Sequence, residues 1–236
     1  MIKNVLFDLD GTLLPMDNDL FAKGYLGMLA QKMAQYGYEP KEFVEFIWKA
    51  TEAVYKNDGK KMNEKVFWDN FSALIGDRVL SDTDKFLEFY ENDFPNAKKF
   101  CGYNQQVPEL INSLKVNGYN LVLATNPIFP QVATDERIKW AGLEKNDFLY
   151  CSTHENSHFS KPNPKYYIEL IEKLNLKPDE CLMVGNDVYE DAVAATSVGM
   201  KAFLITDYLI NRKDIDISQF PYGDFNDLIN YIDNLN

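Results

Sequence analysis

Five short apolar runs punctuate the chain, and each run stops at polar or small residues. The runs cover residues 5–7, 121–124, 148–150, 182–184 and 202–205. Apolar runs that are short and continuous rather than alternating are typical of strands buried on both faces of a parallel sheet. A buried helix is the alternative for any single run, but helical patterns separate the runs from one another. This alternation predicts an α/β fold with a doubly wound, Rossmann-like parallel sheet.

Three helical patterns lie between the later runs. Apolar residues at helical spacing from 107 to 114 precede Gly118, which is a natural C-terminal stop. Asn163 followed by Pro164 indicates an N-cap and the first turn of another helix. A third helix is expected from about residue 189 to residue 198. These helices would connect successive parallel strands.

Residues 15–98 have a different pattern, with helical stripes and no convincing strand. Apolar and aromatic stripes occupy residues 25–36, 43–55, 67–75 and, more weakly, 86–90. An unstructured connection of this length is improbable inside a compact domain. We therefore expect a helical cap domain over residues 15–98, with its own small core, inserted after the first strand. The α/β core domain would comprise residues 1–14 and 99–236.

Composition restricts the class of protein. The 236 residues include 24 Lys and Arg against 36 Asp and Glu, so the net charge is −12. This balance argues against nucleic-acid and anionic-membrane partners, which both need a cationic face. The N-terminus does not resemble a signal peptide, and no apolar run approaches the ~20 residues that span a bilayer. The three cysteines are odd in number and lack metal-ligand spacing, so we expect reduced thiols in a cytoplasmic protein.

Polar residues after the first run indicate a cation site. In open α/β sheets, ligands bind beyond the carboxyl ends of the strands. Asp8 and Asp10 alternate along an extended chain, so both carboxylates lie on the same side. Such carboxylates repel each other unless a cation lies between them, and Mg2+ is a hard ion that prefers oxygen ligands. Gly11 permits a sharp exit from the strand, although an ordinary Asp-Gly turn is the alternative explanation.

The end of the second run and the start of the helix expected at Pro164 carry residues that can bind an anion. Thr125 and Asn126 end the second run and offer a hydroxyl, an amide and backbone N–H groups. Lys161 precedes the helix expected at Pro164, where a full charge and the helix dipole both favour phosphate. Taken singly, a Thr-Asn-Pro turn and a surface lysine are the commoner explanations. Their shared position at the ends of elements favours a functional role.

The fourth run ends in an acidic segment, residues 185–191. This segment brings at least one more carboxylate to a strand end, where it would complete the cation site. Asp187 and Asp191 are four residues apart and can share one face of the following helix. Acidic residues in a first turn also offset the helix dipole, which explains Asp191 better than it explains Asn186 and Asp187.

With these residues in order, the chain resembles the haloacid dehalogenase-like (HAD) superfamily of hydrolases. The segment DLDGTL, which begins at Asp8, matches the first motif of that superfamily, DxDGT. Thr125 matches the second motif, Lys161 the third, and residues 185–191 the acidic fourth. The resemblance spans the whole chain, because the expected helical insertion is similar to a C1-type cap.

The resemblance implies hydrolysis of a small phosphorylated metabolite through an aspartyl-phosphate intermediate. Asp8 would be the nucleophile, and Asp10 would protonate the leaving oxygen and then activate water. Bound Mg2+ would be held by Asp8, the backbone carbonyl of Asp10 and the fourth motif. The resemblance assigns the phosphoryl oxygens to Thr125, Asn126 and Lys161, and supporting roles to Gly11, Thr12 and Asp191.

The fourth motif departs from the common Gly-Asp pattern, because Asn186 follows Gly185. A gapless match places Asn186 at the metal-ligand position, whereas the spacing counted back from Gly199 selects Asp187. We favour Asp187, because an anionic oxygen neutralises a divalent ion better than an amide does. Asn186 is the alternative ligand.

Three other functions compete with the phosphatase. A 2-haloacid dehalogenase would also use Asp8, but a departing halide needs no proton, so Asp10 would be superfluous. A sugar phosphomutase uses the same groups, so it is an alternative function for this sequence. A non-catalytic binding module is disfavoured, because the nucleophile, the acid and Lys161 are all present.

Two further sets of residues carry weaker signals. His154 and His158 are four residues apart, but their surroundings are rich in Ser, Thr and Asn and predict a loop. We assign neither histidine a catalytic role. Lys23, Tyr25 and Lys49 are candidate substrate-selecting residues of the cap domain, although a solvated helix face would show the same pattern.

Overall fold

The computed structural model describes residues 1–235, which form a six-stranded parallel sheet with helices on both faces. The strands are β1 (Asn4–Phe7), β2 (Asn120–Leu123), β3 (Tyr150–Cys151), β4 (Cys181–Gly185), β5 (Lys201–Ile205) and β6 (Tyr222–Gly223). Their order across the sheet is β3-β2-β1-β4-β5-β6, with all pairs parallel. The predicted α/β fold and its five strands are confirmed. The short edge strand β6 was not predicted, because two residues make no apolar run.

The strand order places a topological switch between β1 and β4. The chain builds the sheet outward from β1 through β2 to β3, and then returns to the other side of β1 with β4. Helical connections diverge at such a point and leave a crevice beyond the carboxyl ends of the two strands. The predicted first and fourth motifs follow these two strands.

The central strands are buried on both faces, as the continuous apolar runs predicted. All residues of β1 and β4 are buried. Val5 and Phe7 pack into one hydrophobic cluster, whereas Leu6 packs into a second cluster on the opposite face. This alternation follows from the two-residue period of a strand.

Helices account for most of the remaining structure. The helices are α1 (Asn18–Ala34), α2 (Pro40–Tyr55), α3 (Asn63–Ile75), α4 (Arg78–Ser81), α5 (Thr83–Glu88), α6 (Gln106–Val116), α7 (Gln131–Trp140), α8 (Pro164–Leu174), α9 (Ala194–Ser197) and α10 (Phe225–Asp233). The predicted N-cap at Asn163 is confirmed, since its side chain accepts a hydrogen bond of 3.0 Å from the Lys165 N–H. The helix expected over 189–198 is a π-helical turn, Val188–Val193, that continues into α9. Within residues 1–235, no helix is both long and apolar enough to cross a bilayer.

The segment between β1 and β2 is helical, but its core is not separate. Helices α1–α5 are followed by a π-helical turn, Phe89–Asp93, and a 3-10 helix, Phe94–Phe100. Phe43 contacts Phe71 and Phe86, with ring centroids 5.5 and 5.9 Å apart. These rings belong to the same continuous hydrophobic cluster as the β1 face of the sheet. The helices bury their apolar faces against the sheet layer as well as against one another.

Among the described α-helices, the short α4 and the longer α7 and α10 were not predicted. The buried face of α7 includes Thr134 and Arg137, so it does not form an apolar stripe in the sequence. Helix α10 does carry a recognisable signal, with Phe225, Leu228 and Ile232 at helical spacing and Asp224 as its N-cap.

Candidate active site

The first motif lies at the carboxyl end of β1. The Asp8 N–H donates to the Val184 carbonyl at 2.9 Å, which holds the residue beside β4 after the strand has ended. Gly11 then adopts φ +82°, and a Cβ at this position would collide with the side-chain amide of Asn186. Glycine therefore permits both the turn and the close approach of the fourth motif.

Lys161 joins the first and fourth motifs through buried ion pairs. Its Nζ lies 2.9 Å from Asp8 Oδ1 and 2.6 Å from Asp191 Oδ1. The Lys161 side chain is only 1% exposed, so it is not the surface lysine that the sequence left as an alternative. A buried ammonium group needs such partners, because removing a charge from water costs several kcal/mol. The structure thus brings three of the predicted site residues together.

The two candidates of the fourth motif have different surroundings. The Thr12 hydroxyl lies 3.2 Å from Asn186 Oδ1 and 3.4 Å from Asp8 Oδ2, so it bridges these side chains. Asp187 Oδ1 instead accepts hydrogen bonds from the Tyr189 and Glu190 N–H groups and caps the helical turn that follows. Asn186 therefore lies next to Asp8, whereas the Asp187 carboxylate caps the start of the following helical turn.

The site has an excess of negative charge for a cation to neutralise. Burial raises the pKa of Asp8 above its usual range despite the Lys161 charge, and the charges of Asp191 and Asp10 raise it further. Among residues 1–235, no three His, Cys, Asp or Glu side chains form a metal-ligating group. A cation here would therefore also need amide, carbonyl or water oxygens, which are ligands that Mg2+ accepts. The donor set fits Mg2+ on these grounds.

Arg137 of α7 is a site residue that the sequence did not reveal. Its guanidinium pairs with Asp10 Oδ2, and its side chain is fully buried. A second guanidinium nitrogen donates to Thr134 Oγ1 at 3.3 Å, and the group stacks 4.0 Å from the centroid of the Phe129 ring. Burial raises the pKa of Asp10, while the charges of Arg137 and Lys161 oppose that shift. Asp10 Oδ1 is buried without a hydrogen-bond partner in the described part of the chain.

Thr125 and Asn126 follow β2 and reach the same edge of the sheet. Thr125 is buried, and its carbonyl accepts a hydrogen bond of 3.0 Å from the Tyr166 hydroxyl. The Asn126 amide donates to Glu190 Oε2 at 2.8 Å, so in this arrangement its amide nitrogen has a protein partner. Burial raises the pKa of Glu190 to about 8, and the charge of Asp187 adds to the shift. Glu190 belongs to the predicted acidic segment 185–191, but the sequence analysis gave it no role of its own.

A cavity of about 190 Å3 lies at this edge of the sheet, and we call it the strand-end cavity. The predicted site residues that line it are Asp8, Asp10, Thr125, Asn126, Asn186, Asp187 and Asp191. Helices α1 and α2 form the opposite wall, to which Tyr25 contributes. Lys23 and Lys49 are exposed and do not line this cavity, and Lys49 pairs with Glu45 at 2.6 Å. Of the three proposed selecting residues, Tyr25 alone faces the site.

The two histidines lie in the loop between β3 and α8, as predicted. His158 Nδ1 is 2.8 Å from Glu169 Oε1, and His154 Nε2 is 3.3 Å from Glu155 Oε1. Neither histidine lines the strand-end cavity. Each imidazole is paired with a neighbouring carboxylate.

The fold and site define an α/β protein whose acidic ligand site lies at the switch point of a doubly wound sheet. The chain belongs to the haloacid dehalogenase-like hydrolase family, whose sequence model matches residues 5–205. The predicted membership in this superfamily of hydrolases is confirmed.

Individual relatives carry several different activities. The chain is 26% identical over 215 residues to a glyceraldehyde 3-phosphate phosphatase from Methanothermobacter thermautotrophicus, covering 89% of this chain and 88% of the relative. It is 26% identical over 239 residues to the pyrophosphatase PpaX from Bacillus cereus strain G9842, covering 100% and 98%. The crystal structure of a 2-haloacid dehalogenase from Pseudomonas syringae pv. Tomato DC3000 has a TM-score of 0.65 at 18% identity and covers 99% of both chains. That structural likeness shows the fold alone.

Proposed function

We propose that this protein is a Mg2+-dependent phosphatase that hydrolyses a small phosphate monoester through an aspartyl-phosphate intermediate. The observation that carries the proposal is the position of Asp8, which lies in the strand-end cavity beside the buried Lys161, with Asp10 two residues further on. The phosphatase names of the two sequence relatives agree with this activity.

The proposed reaction has two steps. An oxygen of Asp8 attacks phosphorus, the bond to the leaving oxygen breaks, and that oxygen takes a proton from Asp10. In the second step the Asp10 carboxylate removes a proton from water, and the oxygen of that water attacks phosphorus. Inorganic phosphate leaves and the Asp8 carboxylate is regenerated. A raised pKa suits Asp10 to the acid role, because the group must hold its proton until the leaving oxygen needs it.

Three of the chain's groups would hold the phosphoryl oxygens. Lys161 supplies a charge within reach of Asp8, and Thr125 supplies a hydroxyl from the end of β2. Because the Asn126 amide donates to Glu190, we propose that Asn126 contributes through its backbone N–H. Positioning and charge stabilisation by such groups are the main contributions to phosphoryl transfer.

Asp8, the backbone carbonyl of Asp10 and a fourth-motif oxygen would hold the metal. When bound, Mg2+ would offset the negative charge between nucleophile and phosphate. Charge favours Asp187 as the fourth-motif metal ligand, but the Thr12 hydroxyl that bridges Asn186 and Asp8 supports Asn186 as the alternative ligand. Asp191 would support the site by holding Lys161.

A 2-haloacid dehalogenase is the competing function within the family. In this chain Asp10 is held by a buried Arg137, which is a costly arrangement for a residue that a departing halide would not need. The pair therefore favours ester hydrolysis. A phosphomutase would use the same groups and differs in whether water or a sugar accepts the phosphoryl group.

The helical segment and the cysteines supply two smaller proposals. Residues 15–98 would act as a cap domain that covers the strand-end cavity and excludes bulk water, with residues 1–14 and 99–236 as the core domain. Cys101, Cys151 and Cys181 are all free thiols, which supports a reducing, cytoplasmic location.

Replacement of the nucleophile tests the proposed function. Asp8→Asn is expected to abolish release of phosphate from phenyl phosphate and to prevent capture of beryllium fluoride, an aspartyl-phosphate mimic. The exposed Asp179 offers a matched control, and Asp179→Asn should retain both properties. Parallel assays with 2-haloacids should release no halide. Near-normal phosphate release by Asp8→Asn, or halide release by the native protein, would contradict the proposal.

A further inference from the structure

A second and larger cavity adjoins the strand-end cavity. It has a volume of about 530 Å3 and lies between helices α1–α5 and the loops that follow β2 and β3. Four residues, Tyr25, Ile47, Thr51 and Ile128, line both cavities. A ligand bound at Asp8 therefore has this second space directly beyond these side chains.

The second cavity is mainly apolar and rich in aromatic rings, and we call it the aromatic cavity. Its aromatic lining residues are Tyr25, Phe67, Trp68, Phe86 and Tyr90. The Trp68 and Phe86 rings meet edge to face with centroids 5.2 Å apart, so this wall is already packed. Leu80 and Leu87 also line the cavity and are about half exposed, which places them at its opening to solvent. Such a surface favours apolar groups, because their contact with it removes apolar area from water.

The charged residues of the aromatic cavity are acidic. Glu64 and Glu155 line it together with the His154 imidazole, which lies 3.3 Å from Glu155 Oε1, and its described lining residues include no Lys or Arg. The hydrogen bond and charge of His154 lower the pKa of Glu155 to about 2 although burial acts to raise it, so Glu155 is anionic at neutral pH. An anionic group on a ligand would meet these two carboxylates, and the His154 imidazole is already paired with Glu155.

The outer wall of the strand-end cavity is also rich in aromatic rings and poor in cationic side chains. Its aromatic lining residues are Phe21, Tyr25, Trp48, Tyr55 and Phe129. Among its described lining residues Arg212 is the one Lys or Arg, and this guanidinium pairs with Asp19 at 3.1 Å. Lys161 and the proposed cation would both be engaged by the phosphoryl group. The wall that faces the leaving group thus provides aromatic surface rather than free positive charge.

We infer that the substrate is a phosphate monoester with an extended apolar, aromatic leaving group that carries no second anionic group. The phosphoryl group would lie at Asp8, and the leaving group would extend past Thr51 into the aromatic cavity. This inference rests on the proposed phosphatase function and adds the chemical class of the substrate to it. Small polyanions such as inorganic pyrophosphate would be poor substrates.

A series of aryl phosphates tests the inference. The esters are phenyl phosphate, biphenyl-4-yl phosphate, 4′-carboxybiphenyl-4-yl phosphate and, as a small anionic compound, inorganic pyrophosphate. We expect kcat/KM for the biphenylyl ester to exceed that for phenyl phosphate by at least tenfold. The added carboxylate should reverse that gain, and pyrophosphate should be the poorest of the four.

A variant that adds a positive charge tests whether the aromatic cavity is where the carboxylated ester is discriminated against. Thr83 lines this cavity and is exposed, whereas its neighbour Ser81 is exposed and does not line it. Thr83→Lys should raise the ratio of kcat/KM for the carboxylated ester over the uncharged biphenylyl ester by about tenfold. Ser81→Lys adds the same charge to the chain and should leave that ratio unchanged.

The outcomes separate this inference from the proposed function. If phenyl phosphate is hydrolysed but the biphenylyl ester has no advantage over it, the inference is wrong and the phosphatase stands. Equal kcat/KM for the two biphenylyl esters, or the same ratio in Thr83→Lys and Ser81→Lys, would also overturn the inference alone. Absence of phosphate release from every ester would overturn both.

Discussion

The charged side chains at the end of β1 are buried in pairs rather than singly. Lys161 pairs with both Asp8 and Asp191, and Arg137 pairs with Asp10. Breaking a buried pair by removing one partner typically costs 3–5 kcal/mol, because a charge is left without compensation. The local sequence around Asp8 and Lys161 was enough to predict these residues. Arg137 was missed because its partner lies 127 positions away and no short motif surrounds it.

Arg137 is predicted to position Asp10 for proton transfer. Arg137→Met should lower kcat/KM for phenyl phosphate by about 10²–10³, in the range that general acid catalysis supplies. The loss should be smaller for 4-nitrophenyl phosphate, because a good leaving group needs less protonation. Steady-state kinetics with both esters measures this difference.

The matched control for that variant lies on the same helix. Lys139 is largely exposed and pairs with Glu136, so Lys139→Met should leave both rates near their native values. An equal loss for both esters in Arg137→Met would indicate a purely structural role for Arg137. The melting temperature of each variant shows whether the fold is retained.

Helix starts place the functional groups of the third and fourth motifs. Asn163 caps α8 two residues after Lys161, and Asp187 caps the turn that carries Asp191. These signals are local, so the sequence predicted the start of α8 correctly. Helix α7 gave no such signal, because its buried face contains a threonine and an arginine that are polar in the sequence but paired in the fold. Propensity and periodicity do not reveal a buried polar residue whose partner is distant.

Loss of the α8 cap should destabilise the protein. Asn163→Ala is expected to lower the free energy of unfolding by about 1 kcal/mol, since one N–H of the first turn loses its partner. Asn163→Asp keeps an acceptor and should retain most of the stability. Urea denaturation monitored by circular dichroism compares the two variants, and equal stabilities would contradict the capping role.

A contact between α7 and the loop after β3 should make stability depend on pH. Glu155 Oε1 accepts a hydrogen bond of 2.8 Å from the Gln131 N–H at the start of α7. Burial acts to raise the pKa of Glu155, but the His154 hydrogen bond and charge lower it from 4.5 to about 2. A lowered pKa in the folded state stabilises the protein above about pH 4.5, and this contribution is lost as the pH falls towards 2.

The Glu155→Gln variant measures that contribution. Because the Glu155 side chain is one-third exposed, solvent screens the interaction and we expect a loss of about 1 kcal/mol at pH 6. The difference from the native protein should shrink as the pH falls from 4.5 towards 2. The exposed Glu172 provides the control Glu172→Gln, which should differ little from the native protein across this range. A difference that does not change with pH would refute the assignment.

The folded chain as a whole gathers four separated segments into one acidic site. Residues near positions 8, 125, 161 and 187 meet because three strand ends and one helix start lie at the same edge of the sheet. Helices α1 and α2 line the other side of this site and share one hydrophobic cluster with the sheet. A cation that binds only this arrangement would stabilise the folded state over the unfolded chain.

Magnesium should therefore raise the melting temperature. At a Mg2+ concentration 100 times its Kd, linkage predicts about 2.7 kcal/mol of added stability, and EDTA should remove it. Sodium chloride at equal ionic strength controls for screening of the net charge of −12. Asp8→Asn should lose this stabilisation. No shift with Mg2+ in the native protein would contradict the proposed metal.

The same measurement distinguishes the two fourth-motif candidates. Asn186→Ala and Asp187→Ala should differ in Mg2+-dependent stabilisation, and the metal ligand is the residue whose loss abolishes it. Asp187→Ala also removes a helix cap, so its stability without metal is expected to fall as well. Comparison of each variant with and without Mg2+ separates the two effects.

The amino-acid sequence by itself determined the parallel sheet, the helical segment after β1 and most of the acidic site. These features depend on local patterns, since strands buried on both faces are continuously apolar and the motif residues directly follow them. The tertiary structure alone decided that Arg137 holds Asp10, that Lys23 and Lys49 stay outside the cavity, and that an aromatic cavity adjoins the site. These features arise between residues far apart in the chain, where packing selects the partners and local pattern carries no information about them.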